Sequence, residues 1–252
     1  MIRHYSYLRL QILPKKDFTS TMNILAIDTT TSSCSAALLL DHELITQCQV
    51  AERNHTQLIL PMVDALLNKG GLKLSQISVI AFTSGPGSFT GIRVGFGIVQ
   101  GLAFGADLPV LPVSSLETLA HTAIRKLKLQ KNTHIIPMLD ARMHEIYWAQ
   151  FNYNSGNLTR INADCVSPPE ALSAVIKNPS IMIGDGLNYS DRLPEKSLDF
   201  CHISLLPEAQ DIFKIACPLI EKGEVIDIQE ASPMYLRNQI TWKKHKKLRQ
   251  AK

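Results

Sequence analysis

The chain has 252 residues, enough for one large domain or two modest lobes, and its 45% hydrophobic and 19% charged content excludes a disordered or fibrous protein. Five scattered cysteines without a C-x-x-C pair exclude a disulfide framework and a cysteine zinc site, and fit reduced thiols in the cytoplasm. The net charge of +4 is divided: Arg3, Arg9, Lys15 and Lys16 against Asp17 give residues 1–21 a charge of +3, and residues 243–252 carry +6, so residues 22–242 form an acidic globule of −5.

Residues 1–21 make a poor signal peptide, because Arg9, Gln11 and Pro14 interrupt any apolar region. They read as a disordered leader, with Met22 a candidate for the true start. NILAID (23–28) predicts a strand, Thr29 to Ser33 a hydroxyl-rich turn, and CSAALLL (34–40) and ELITQCQV (43–50) two further strands of an antiparallel meander. A helix is predicted from His55 to Asn68, closed by Lys69-Gly70-Gly71. The β-branched run from Ile77 to Thr83 predicts a buried strand, broken by Ser84-Gly85-Pro86-Gly87-Ser88. An apolar helix follows from Phe89 to Phe104, in which Arg93 is the single charged residue. No apolar stretch reaches the ~18 uncharged residues of a membrane span. PVLPV (109–113) predicts a strand, and Ser114-x-x-Glu117 caps a helix that runs to about Lys126.

The second half repeats this order. THIIPMLD (133–140) ends in Asp140 as the first strand ends in Asp28, and EIYWAQF (145–151) and Leu158 to Val166 complete a second meander. SPPEALSAVIK (167–177) predicts a helix, IMIG (181–184) a strand before the Gly184-Asp185-Gly186 turn, CHISLLP (201–207) a strand, and Glu208 to Lys222 the last helix. The unit βββαβαβα thus occurs once in full and once shortened. It divides the chain into an N-terminal lobe (22–127) and a reduced C-terminal lobe (128–242), with a basic tail (243–252). A duplicated unit of this α/β order is the plan of the actin-like ATPase (ASKHA) superfamily, an analogy of fold that does not give function.

Strand, glycine loop and helix N-terminus can hold an anion, since free N–H groups and the helix dipole converge there. No Gly-Lys-Ser/Thr and no G-x-G-x-x-G is present, so a tight turn without a ligand is an equal reading. Asp28, Thr29, Ser88 and Arg93 are the candidate residues of a vestigial nucleotide or phosphate site. Asp28 also reads as a cap on the Thr30 or Thr31 amide, and Arg93 as the partner of a carboxylate at the lobe junction. Asp140, Arg142 and Glu145 flank the second turn and read as a structural cluster. No two histidines stand four apart, the spacing of a helical metal pair, and no glycine lies between Ser190 and Lys222 for an adenosine-binding turn. ATP turnover by this chain alone is not expected.

The first helix carries an apolar arc of about 220° at 100° per residue, where one core-facing stripe needs only ~100°. The excess predicts a protein partner, and Gly91 and Gly95 let a neighbouring backbone approach. The candidate interface is His55, Leu58, Ile59, Leu60, Met62, Val63 and Leu66, with Gly91, Gly95 and Ile98. Whether the Met62 border or the Leu60 border faces the sheet stays open.

MNILAIDTTTSSCSAALL (22–39), RNHTQLILPMVDALL (53–67), GPGSFTGIRVGFGIVQGLAFG (85–105), LDARMHEIYWA (139–149) and PMYLRNQITWKK (233–244) together resemble the TsaB (YeaZ) family, across residues 22 to about 244. The resemblance implies an actin-like fold with a reduced second lobe. It also implies a cytoplasmic, non-catalytic partner protein in threonylcarbamoyladenosine modification of tRNA. Such a protein docks on the catalytic paralogue TsaD through its first two helices and meets tRNA only indirectly; a homodimer that uses the same apolar surface symmetrically when the partner is absent is a further alternative that the sequence leaves open. ATP and metal belong to the partner subunits, TsaD and the ATPase TsaE, and no membrane is involved. The alternative is an enzyme of the superfamily, either a small-molecule kinase or a peptidase-like hydrolase.

Overall fold

The computed structural model describes residues 22–40, 43–51, 54–129, 132–174, 176, 180–193, 201–202 and 205–237; the leader and the basic tail lie outside them. β1 (Ile24–Asp28) is buried along its whole length, because alternate side chains enter two different cores. Leu25 and Ile27 meet α1 (His55–Lys69) and α2 (Phe89–Ala106) on one face. Ile24 and Ala26 meet α4 (Ala209–Glu221) on the other. β2 (Ser33–Leu40) and β3 (Glu43–Val50) continue antiparallel from β1, while β4 (Val79–Gly85) and β5 (Val110–Ser114) run parallel to it. The sheet order is β3-β2-β1-β4-β5.

The second sheet repeats this order as β10-β7-β6-β11-β12, built from β6 (Thr133–Arg142), β7 (Glu145–Trp148), β10 (Cys165–Ser167), β11 (Ile181–Ile183) and β12 (Cys201–His202). β7 is antiparallel to β6 and β11 parallel to it, as β2 and β4 are to β1. α3 (Ser115–Leu127) begins at the predicted cap, with Ser114 Oγ accepting the Glu117 N–H at 3.3 Å. The Glu117 carboxylate pairs with Arg160 at 2.8 Å, so no capping box closes. Leu116, Leu119, Ala120 and Ala123 of α3 pack against the second sheet.

The predicted elements change at four places. EIYWAQF is two strands, β7 and β8 (Phe151–Asn154), and Leu158 to Val166 is likewise divided into β9 (Asn157–Arg160) and β10. Pro137 of β6 stands at the break: it accepts the Ala149 N–H but has none to return, and Gln150 N–H goes to the Asn162 side chain at 2.7 Å. The helix predicted over 167–177 is described only as a 3-10 turn, Pro169–Ala174. CHISLLP is described as strand only over Cys201–His202, with 203–204 outside the described residues.

The last helix, read from sequence as the end of the second lobe, covers the first sheet. Ala209, Ile212, Phe213, Ala216 and Ile220 form one stripe that fills the sheet face opposite α1 and α2. Ala209 N–H donates to Ser35 Oγ at 2.9 Å, and Ile226 then bridges to Val110 of β5. Asp211 ties this helix to α3: it accepts Thr122 Oγ1 at 2.7 Å and Arg125 Nε and Nη2 at 2.8 Å. Glu208 adds ion pairs to Arg125, at 2.5 Å, and to Lys126.

Candidate functional site

Between the two sheets lies a cleft of about 1370 Å³. The β1–β2 turn and the first turn of α2 line one side, the β6–β7 turn and Asp185 the other, and Met234, Tyr235 and Arg237 lie along it. The paired turns follow from the duplication: Asp28 ends β1, and Asp140 stands two residues before the end of β6. Their chemistry differs.

Asp28 is fully buried and does not line the cleft. Its Oδ1 accepts Thr83 Oγ1 at 2.5 Å, Thr30 Oγ1 at 2.7 Å and the Thr30 N–H at 3.3 Å. Oδ2 has no partner among the described residues. Burial pushes this carboxyl above its ordinary range, against the hydroxyl bonds from Thr83 and Thr30 that favour the anion. Thr29 Oγ1 donates to the Gly91 carbonyl at 2.8 Å, and Ser88 is committed twice, its Oγ capping Gly91 N–H and its N–H donating to Thr30 O at 2.7 Å. A Cβ at Gly87 would overlap the Thr30 carbonyl, and one at Gly91 the Thr29 carbonyl. The glycines therefore let this loop close on the β1–β2 turn. A phosphate would have to separate the two, and Asp28 lies beneath them, so the residues present do not fit a nucleotide with its metal.

Asp140 is placed differently. Its Oδ1 accepts the Arg142 N–H at 2.7 Å and Tyr189 OH at 3.1 Å, its Oδ2 pairs with Arg142 at 3.0 Å, and its own N–H donates to Asp185. Burial pushes the Asp185 carboxyl up, partly offset by that bond. Glu145 pairs not with Arg142 but with Arg237. Arg142, Met143 and His144 all have left-handed backbones, with φ of 60°, 54° and 63°. Such residues persist only where neighbouring contacts over-determine them. Among the described residues, no group of three or more His, Cys, Asp or Glu could hold a metal ion.

Among the described residues Arg93 pairs with no carboxylate. Its guanidinium lies 3.5 Å from the centroid of the Phe89 ring, and its Nε donates to Tyr235 OH at 3.1 Å. The sequence assigns residues 233–237 no role, because five residues outside any helix or strand carry no periodicity to read.

The predicted partner surface divides in two. His55, Ile59, Met62, Val63 and Leu66 are buried within the chain's own core, His55 Nε2 lying 2.8 Å from Thr31 O. Gly91 and Gly95 pack on Thr29. The Met62 border thus faces the sheet, and of the predicted residues only Leu58, Leu60 and Ile98 remain at the surface. Beside them α2 presents a face that sequence reasoning only touched. Gly97, Gly101 and Gly105 have nothing within 4 Å of an added Cβ, and Phe104 is 77% exposed. By length and composition α2 is long and apolar enough to cross a membrane, although Arg93 interrupts it, and 28% of it is buried. The signal available in sequence was the four-residue spacing of these glycines.

Two sheets of one duplicated order around a closed-down cleft define a member of the actin-like ATPase superfamily, with its second lobe reduced. The model of the family TsaD: tRNA N6-adenosine threonylcarbamoyltransferase matches residues 40–247. The chain is 39% identical over 229 residues to "tRNA threonylcarbamoyladenosine biosynthesis protein TsaB" of Escherichia coli K12, covering 88% of this chain and 98% of that protein. It is 38% identical over 232 residues to the protein of that name from Haemophilus influenzae, covering 88% and 97%. A crystal structure of YeaZ from Pseudomonas aeruginosa superimposes with a TM-score of 0.78 at 36% identity, covering 85% of this chain and all of that one. The chain belongs to the TsaB (YeaZ) family.

Proposed function

We propose that the protein is a non-catalytic scaffold and activator subunit in tRNA threonylcarbamoyladenosine biosynthesis, which docks the catalytic TsaD-type paralogue on the outer surface of α1 and α2. The observation that carries this reading is α2: an apolar helix, 28% buried, with an uncontacted glycine stripe beside exposed Phe104 and Leu60. Exposed apolar surface of this kind marks an interface, and the bare stripe lets another helix approach closely. ATP and metal then belong to the partner subunits, and the chain's own cleft performs no chemistry, because Asp28 is sealed beneath its turn. The superfamily-enzyme alternative has no such support in the cleft.

Leu60→Glu and Met62→Glu test this as a pair. Leu60 is 44% exposed, so its variant should stay folded, remain soluble and lose capture of the paralogue. Met62 is 6% exposed, so its variant should unfold, an unpaired buried charge costing several kcal/mol. A folded Leu60→Glu protein that still binds the paralogue at full affinity would falsify the docking surface. Sedimentation of the free chain reports whether the same face joins two copies.

A further inference from the structure

Residues 231–237 carry contacts that the proposed docking does not use. The segment leaves the first lobe after the Ile226–Val110 bridge and runs along the cleft. Within four residues it is fastened three times. Met234 N–H donates to Ser84 O at 2.8 Å, where β4 ends, and its backbone lies on Gly85, where a Cβ would crowd the Met234 carbonyl. Tyr235 packs its ring 5.6 Å from Phe89 and accepts the Arg93 bond, both on the first turns of α2. Arg237 pairs with Glu145 and donates to the Arg142 carbonyl at 3.3 Å, both on the second lobe. The first two fastenings hold one lobe and the third holds the other.

The receiving turn explains what the third fastening does. Arg142, Met143 and His144 are left-handed without glycine, an arrangement that must be held from outside. The Arg142 carbonyl is held by Arg237 and the His144 carbonyl by Arg192, at 3.2 Å. Met234 and Tyr235 remain 36% and 39% exposed, so burial does not anchor this segment and named bonds must.

We propose that residues 233–237 are a strap that fixes the two lobes across the cleft, with Arg237–Glu145 as its releasable clasp. With the clasp closed, the β6–β7 turn is held against the segment that grips α2. With it open, the strap lifts, the turn relaxes and the lobes move relative to each other. The clasp is half-exposed, with side-chain exposures of 20% and 34%, so salt weakens it. This inference is independent of what docks on α1 and α2.

The test uses the full chain, with one spin label per lobe for interlobe distance and hydrogen exchange read at residues 84–93 and 140–146. Arg237→Ala and Glu145→Ala should each broaden the distance distribution and speed exchange several-fold at both segments. Exchanging the charges, Arg237→Glu with Glu145→Arg, should restore both readouts. In the unmodified chain, raising salt should move exchange at both segments in the same direction, which keeps the test available if a variant does not fold. Faster exchange confined to 231–237, with an unchanged distance distribution and no salt response, overturns the strap.

Discussion

The glycines of α2 sort into two faces, and Gly→Ala substitution should act oppositely on them. At Gly97 and Gly101 an added methyl meets nothing within 4 Å. It therefore contributes only helix propensity, about 1 kcal/mol per site. For a chain of this size that is a rise in Tm of about 2–4 °C. At Gly91 the methyl overlaps the Thr29 carbonyl, which belongs to the buried turn and has no rotamer to move into. At Gly95 it overlaps Thr29 Oγ1, which could swing away only by giving up its bond to Gly91 O. Overpacking costs about 1–3 kcal/mol and a lost buried hydrogen bond about 1 kcal/mol more, which outweighs the propensity gain. Both inner variants should lower Tm by several degrees. Calorimetry on the four single variants, with paralogue capture measured in parallel, checks this. The outer variants should melt higher and bind more weakly, because a methyl on the bare stripe holds the partner helix away. An outer variant that melts lower, or a Gly91 variant that melts higher, refutes the assignment of faces. Outer variants that melt higher and bind unchanged refute the docking role of the stripe.

Asp28 holds its proton more tightly folded than unfolded, so its contribution to stability is greatest below the unfolded pKa near 3.8 and falls as pH rises toward the raised native value. Asp28→Asn should remove that decline, seen as a flatter urea midpoint from acid to neutral pH than in the unmodified chain; parallel profiles would refute it. The β6–β7 turn, with Met143 and His144 both left-handed, should gain about 1–2 kcal/mol when they become Asn and Gly, measured by denaturant unfolding. Asp211→Ala should cost about 3 kcal/mol, the low end for a broken buried pair, because Arg125 is 39% exposed and reaches water. A loss below ~1 kcal/mol would mean that this network does not hold α3 to α4.

What was legible in the sequence was whatever repeats. Two apolar strands, β1 and β6, each leading through an aspartate into a turn, made the duplication visible in the sequence. The breaks inside the second meander were not visible, because they depend on Pro137 standing opposite Ala149, a pairing set by register. The place of α4 was hidden for a similar reason: its stripe from Ala209 to Ile220 would fit either sheet, and only the open face of the first one decides. The wheel for α1 gave the width of the apolar arc but not its orientation. His55 settles that, since its bond to Thr31 O holds the helix start against the β1–β2 turn and turns Met62 inward.

The fold itself requires only some of the glycines in and around α2. Gly87, Gly91 and Gly95 are accounted for within the chain, each allowing contact with Thr29 or Thr30. Gly97 and Gly101 are not, since a Cβ added at either would meet nothing within 4 Å among the described residues. Together they cost the helix about 2 kcal/mol relative to alanine, a real fraction of the ~5–15 kcal/mol by which domains are stable. Among the described residues no packing contact uses these two positions, which is what supports the docking proposed for this face. The same logic separates the two aspartates. Asp28 is buried to close a turn, while Asp140, its side chain 12% exposed, lines the cleft at the strained turn that the C-terminal segment grips. The first lobe has given up its side of the cleft to packing. On the proposed reading, function falls to the outer face of α2 and to the fastening that sets how that helix stands relative to the second lobe.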